Sequence, residues 1–204
     1  MHSPRFCQIA KGNDCETVVK PVILAIMELS PAIQTLANAV RDVPDFPKPG
    51  ILFKDITPVL ADPTLLSATI DGMIAATGVT RVDKVIGIDA RGFIFGSLIA
   101  AKLNAGFIPI RKKGKLPWKT LGTSYDLEYG SATIEIHQDA IRPGESVLLA
   151  DDLLATGGTA AAALDLIHQL GGHVLGSVFF IELAFLNGRE KLAGKGPVHA
   201  LLTY

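Results

Sequence analysis

The stretch VLLADDLLATGGTAAAAL, Val147 to Leu164, constrains the fold of this chain more than any other. Four apolar residues lead directly into Asp151 and Asp152. After two leucines, the turn Ala155-Thr156-Gly157-Gly158-Thr159 opens an alanine-rich helical run. Such a turn exposes several backbone N–H groups, and its glycines let a ligand come close to them. With the positive end of a helix behind it and two threonine hydroxyls beside it, the turn is a candidate phosphate site. The two carboxylates just upstream would repel a phosphate unless they met hydroxyl groups or a magnesium ion, so a sugar phosphate suits both halves. A strand end followed by a capped helix would explain a bare glycine pair, but not the full order of strand, acid pair, small residues, TGGT and helix. Neither GxxxxGK[ST] nor GxGxxG occurs in the chain, which disfavours the triphosphate and dinucleotide folds built on those loops.

Around that stretch the pattern alternates between strands and helices. Asp62-Pro63 starts a helix carrying Leu66, Ile70, Met73 and Ile74, and Gly78 can end it. DKVIGID is a short buried strand, GFIFGSLIAAKLNAG a helix with a glycine stop, and FIPIR a further strand. SATIEIH alternates polar and apolar residues, as a half-exposed antiparallel strand does. Strand Val147 to Ala150 follows, then a helix from about Gly158 to Leu170, a strand in VLGSVFFIEL and a last short one in VHALLTY. The fold class expected is α/β, a mainly parallel central sheet flanked by helices, with ligands at the carboxyl ends of its strands. That puts the acid pair on the functional rim.

Residues 1–26 lack a clear period, whereas MELSPAIQTLANAV from Met27 offers Ser30 as a helix cap, Pro31 at the first helical position, and Ile33, Leu36, Ala37 and Val40 on one face. The expected division is an N-terminal extension over 1–26, outside the core, and one domain over 27–204. A secretory signal is the competing reading of PVILAIM, but Glu28 interrupts it and Ala37-Asn38-Ala39 lies far away. With 19 Lys and Arg against 20 Asp and Glu, nothing in the charge favours nucleic acid or a membrane surface as partner. Uncharged apolar runs such as Phe93 to Ala101 fall well short of a membrane span. Cys7 and Cys15 are the only cysteines, and both precede Met27, so no disulfide framework or zinc site is expected; this fits a cytoplasmic protein. His137, His168, His173 and His199 show no metal-ligand spacing.

LLADDLLATGGTA resembles the phosphoribosyl-pyrophosphate signature of the type I phosphoribosyltransferases. Three further stretches narrow the resemblance to the adenine phosphoribosyltransferases: DFPKPGILFKDITPVL (Asp45 to Leu60), GIDARGFIFG (Gly87 to Gly96) and RKKGKLP with SYDLEYG (Arg111 to Gly130). The likeness covers about Met27 to Tyr204. It implies that adenine attacks the anomeric carbon of phosphoribosyl pyrophosphate, giving AMP and pyrophosphate, in a homodimer. Such a reaction develops an oxocarbenium-like sugar and a charged leaving group, which Mg2+ held mainly by substrate and water can stabilise. By the same resemblance, Asp151 and Asp152 hold the ribose hydroxyls and Ala155, Thr156, Gly157, Gly158 and Thr159 hold the 5′-phosphate.

Arg111, Lys112, Lys113 and Lys115 form a charge run that would ordinarily be a solvated loop. Because it follows strand FIPIR at the same rim, Arg111, Lys112 and Lys115 are expected diphosphate contacts. The loop Asp89-Ala90-Arg91-Gly92 is another, and Arg91 could instead reach the purine. From about 112 to 130 the sequence has Pro117, Trp118 and several hydroxyl residues without sustained period, so a mobile lid is expected. The resemblance brings Glu128 and Tyr129 over the reacting centre, with Glu128 the candidate general base. Alternation along a hairpin strand is the plain alternative there. The hood, about 43–60, reads from Pro47, Pro49, Pro58 and Gly50 as rigid and irregular, neither helix nor central strand. Phe53 is by itself a core-type residue; the resemblance stacks it on adenine with Leu153 on the other face and has the backbone near Leu52 read the amino edge. Lys54 receives no specific contact, since it lacks the planar fork of an arginine. A different purine base and a noncatalytic transcriptional sensor are the competing functions.

Overall fold

The computed structural model describes residues 31–126 and 131–204. In chain order these form α1 (Pro31–Ala39), β1 (Arg41–Pro44), β2 (Leu52–Asp55), α2 (Thr57–Ala61), α3 (Pro63–Thr77), β3 (Lys84–Ile88) and α4 (Gly92–Lys102). Then come β4 (Gly106–Lys112), β5 (Thr120–Asp126), β6 (Ser131–His137), β7 (Ser146–Leu154), α5 (Gly158–Gln169), β8 (His173–Glu182) and β9 (Val198–Thr203). Two short 3-10 segments, Ala184–Leu186 and Gly188–Leu192, link the last two strands.

Seven strands make one sheet in the order β5-β6-β4-β3-β7-β8-β9. The five from β4 to β9 run parallel, and β6 and β5 extend the β4 edge antiparallel. Alternating side chains of the central strands feed two apolar layers. Val85, Leu148, Ala150, Val178 and Phe180 pack under α1 to α4, while Ile86, Val147, Leu149 and Phe179 pack under α5. Runs of uninterrupted apolar residues in β3, β7 and β8 follow from this burial on both faces. The chain reaches β4 by one crossover from β3 and returns to the other side of β3 at β7. The crevice between the carboxyl ends of β3 and β7 is therefore a topological switch point, where such sheets bind ligands.

Local chemistry sets the element ends. Asp62 Oδ1 accepts from the N–H groups of Thr64 (2.8 Å) and Leu65 (3.0 Å), Pro63 stands in the first turn, and Gly78 closes α3 at φ 65°. At the end of α4, Asn104 (φ 52°) takes the left-handed position, so the expected glycine stop falls instead to an asparagine and Gly106 opens β4. β7 runs through the acid pair to Leu154, four residues beyond the end read from the apolar run, because Asp151, Leu153 and Leu154 continue the pairing with β8.

Two irregular segments expected from the sequence are more ordered. In the hood, β1 and β2 pair antiparallel from Arg41↔Asp55 to Pro44↔Leu52 and α2 follows, so the irregular part shrinks to the link between the strands. Pro47 and Pro49 sit in that link, Pro58 in the first turn of α2, and Pro44 at the last position of β1. In the presumed lid, Lys112 still belongs to β4, and Thr120–Asp126 forms a strand paired with β6 from Thr120↔His137 to Asp126↔Ser131. Leu121 and Tyr125 pack against the α5-side core, which offsets the weak strand propensity of TLGTSYD.

Candidate active site

The switch-point crevice is an open cleft of about 280 Å³. The ends of β3 and β7 supply Ile88, Asp89, Asp151 and Asp152; the turns after them supply Ala90, Arg91 and the run from Ala155 to Thr159; Tyr125 of β5 lines one side. The acid pair and the TGGT turn, adjacent in sequence, thus face one space.

The turn owes its shape to Gly157, whose φ of 77° costs glycine little and other residues much. Ala161 N–H donates to Gly157 O at 2.9 Å, the first bond of α5, and no side chain caps the helix. The first-turn N–H groups of α5 therefore remain for a ligand, together with the positive end of the helix dipole.

Asp152 is buried, with its residue only 6% exposed, and Arg91 Nε donates to its Oδ2 at 2.8 Å. Asp151 Oδ1 accepts from the Asp152 N–H at 2.9 Å. Burial pushes the Asp151 carboxyl well above the usual carboxylate range, and the neighbouring charge of Asp152 adds to the rise. Burial raises Asp152 too, with Arg91 opposing. Two carboxylates that resist ionising together are an energetic liability to the fold, and such pairs gather at functional sites. Gly92 is part of this arrangement: a Cβ there would lie 2.5 Å from Asp151 Oδ1 and 3.2 Å from Ala150 O, so only glycine lets α4 begin so close to the acid.

Arg91 joins two parts of the site. Besides binding Asp152, its guanidinium lies over the Phe53 ring, 5.7 Å from the centroid. Phe53 itself is partly buried and meets Phe46 edge-on at 5.1 Å. Leu153 lines the cleft, whereas Leu52 is 52% exposed in the hood ribbon. Lys54, left without a role by the sequence, ion-pairs with Asp42 at 2.6 Å and lies 3.9 Å from the centroid of the Tyr204 ring, tying the hood to the end of the chain.

The basic run is divided. Arg111 Nε donates to Asp89 Oδ2 at 3.2 Å and Nη1 to Lys115 O at 3.0 Å, so it is held at the rim beside the β3 turn. Lys112, Lys113 and Lys115 are exposed and outside the cleft wall. Glu128 and Tyr129 lie outside the described residues. Sequence reasoning gave Tyr125 and Gly92 no role of their own, although they lie in the lid motif SYDLEYG and in the loop Asp89-Ala90-Arg91-Gly92, and it passed over the Gly188–Leu192 segment behind the turn.

An uncapped helix N-terminus beside an acid pair at the switch point of a parallel sheet is an arrangement suited to a phosphorylated sugar, the kind of ligand that phosphoribosyl-transfer proteins take. The phosphoribosyl transferase domain model matches residues 72–200. The chain is 57% identical to adenine phosphoribosyltransferase of Acidothermus cellulolyticus over 159 residues, 78% of this chain and 90% of that protein. Against the Thermobifida fusca enzyme of the same name it is 54% identical, covering 81% of this chain and 94% of the relative. A crystal structure of adenine phosphoribosyltransferase from Rhodothermus marinus superposes with a TM-score of 0.81 at 53% identity, over 85% of this chain and 98% of that one. The Saccharomyces cerevisiae enzyme, complexed with an imino-altritol bisphosphate and adenine, gives 0.79 at 42% identity, over 84% and 98%. The chain belongs to the phosphoribosyltransferase family and, within it, to the adenine phosphoribosyltransferases.

Proposed function

We propose that this chain transfers the 5-phosphoribosyl group of phosphoribosyl pyrophosphate to adenine, releasing AMP and pyrophosphate for purine salvage. One observation carries the reading most: two adjacent carboxylates that resist ionising together stand beside an uncapped helix N-terminus in a single cleft. A nitrogen of adenine forms the new bond to the anomeric carbon as the bond to the pyrophosphate oxygen breaks, and the ring proton of the base must leave. The turn from Ala155 to Thr159 binds the 5′-phosphate, and Asp151 and Asp152 orient the ribose by accepting from its hydroxyls. Arg91, on leaving Asp152, has the reach to turn toward the diphosphate. Arg111 backs it from the rim, with Lys112 and Lys115 as outer charges that attract the polyanion.

The base enters between Phe53 and Leu153, with the backbone near Leu52 at its amino edge. Glu128 takes the ring proton and Tyr129 helps close the cleft; the place of Tyr125, three residues before Glu128, in the cleft wall supports this reading. Among the described residues no three His, Cys, Asp or Glu side chains converge on one point. That fits a Mg2+ ion held mainly by substrate oxygens and water, with the acid pair acting on it only through the ribose hydroxyls and water. When bound, the ion would neutralise charge on the departing diphosphate.

Leu98 of α4 borders an apolar groove with Pro63 and Leu66 of α3, and Ile94, one turn earlier on α4, is also exposed, which supports a homodimer. No helix among the described residues is long and apolar enough to cross a membrane; a cytoplasmic site of action, and a core in which 1–26 are dispensable, complete the proposal. A spectrophotometric assay with phosphoribosyl pyrophosphate, Mg2+ and each purine base in turn tests it. Turnover with adenine, and little with hypoxanthine, guanine or xanthine, is expected; preference for an oxopurine would refute the assignment.

A further inference from the structure

Behind the phosphate turn lies a segment with no role so far. A Cβ on Gly157 would collide with the Gly188 carbonyl oxygen and come 3.1 Å from Leu192 Cδ1. One on Gly188 would collide with the Ala155 carbonyl oxygen and come 3.1 Å from Gly157 N. The two stretches therefore touch backbone to backbone, with no side chain able to fit between them. Whatever holds Gly188 in place sets the position of the turn.

The next residue does so. Arg189 Nε and Nη2 donate to Glu182 Oε1 and Oε2, each at 2.7 Å, and Nη1 donates to Val198 O at 2.6 Å. Glu182 is 5% exposed and ends β8, paired across the sheet with Leu154, the residue that immediately precedes the turn. Leu183 N–H also donates to Leu154 O at 2.9 Å. A closed circuit results: Leu154 leads to the turn, the turn rests on Gly188, Arg189 forks onto Glu182, and Glu182 lies beside Leu154. A planar bidentate pair holds such a circuit to one geometry, which a flexible ammonium could not.

We infer that Arg189 and Glu182 are positioning residues for 5′-phosphate binding, acting through the Gly188 backbone and touching no substrate. The inference rests on the reading of Ala155 to Thr159 as the phosphate cradle. Its test pairs calorimetric binding of ribose 5-phosphate with steady-state kinetics for Arg189→Lys, Arg189→Met and Glu182→Gln. Both arginine variants should weaken ribose 5-phosphate binding and raise KM for phosphoribosyl pyrophosphate about tenfold, the scale of one lost charge-assisted hydrogen bond. Their kcat at saturating sugar and KM for adenine should stay within about twofold, and Glu182→Gln, which keeps an acceptor for the fork, should fall between. A purely structural pair would instead lower thermal stability or kcat without that selectivity. Should Arg189→Met fail to fold, the lysine variant decides alone. Undiminished affinity in the folded variants, with normal binding by the unmodified protein, overturns the positioning role and leaves the cradle standing. No ribose 5-phosphate binding by the unmodified protein overturns both.

Discussion

Asp151→Asn should make the empty protein more stable while damaging its activity. Asp151 accepts one hydrogen bond, from Asp152 N–H, while the nearby guanidinium of Arg91 is bonded to Asp152. Like charges about 4 Å apart repel by roughly 4 kcal/mol at an effective dielectric near 20. Arg91 offsets part of this and a retained proton caps the rest, leaving about 1–2 kcal/mol at neutral pH to be relieved by the amide. For a chain of this size that corresponds to roughly 2–8 °C in Tm. The size of the advantage depends on pH. Because the folded-state pKa of Asp151 is raised, its contribution is intact below the unfolded value and is lost as pH rises through the folded one. The Tm advantage of the variant should therefore be small near pH 4 and widen toward pH 7. Calorimetric melts of both proteins without ligand across that range measure it. The variant should also gain less Tm than the unmodified protein when phosphoribosyl pyrophosphate and Mg2+ are added. A variant that is less stable at pH 7, or an advantage that does not change with pH, would refute the reasoning.

Gly92→Ala places a methyl group 2.5 Å from Asp151 Oδ1; an overpacking cost of about 1–3 kcal/mol and a raised KM for phosphoribosyl pyrophosphate are expected, and unchanged melting and kinetics would show that the helix start has room. Glu128→Gln should lower kcat by about 10²-fold with sugar binding intact; stopped assays showing full turnover would remove Glu128 as the base.

The sheet and its rim were legible because each central strand announces itself as a short apolar run and the longer helices by their period, with Asp62 and Gly78 doing at α3 what their residue types suggest. The turn from Ala155 to Thr159 was legible in shape for the same reason, since Gly157 and Gly158 follow an acid pair near a strand end. What escaped were features fixed by partners remote in sequence. TLGTSYD carries little strand signal of its own and becomes β5 only against β6 and the α5-side core. The end of β7 was read too early because charged residues look like a boundary, yet pairing with β8 continues past them. Lys54 found its use only when folding brought Tyr204 and Asp42 to it. Gly92 and Gly188 look like ordinary glycines until the backbone or carboxylate that crowds them is in place.

The most direct measurement is a crystal structure of the protein with phosphoribosyl pyrophosphate and Mg2+. The 5′-phosphate should lie on the N–H groups of Ala155 to Thr159, the ribose hydroxyls on Asp151 and Asp152, and Arg91 should have left Asp152. A sugar bound elsewhere, or a 5′-phosphate resting on the lysines of the 112–115 loop with the turn untouched, would contradict the account.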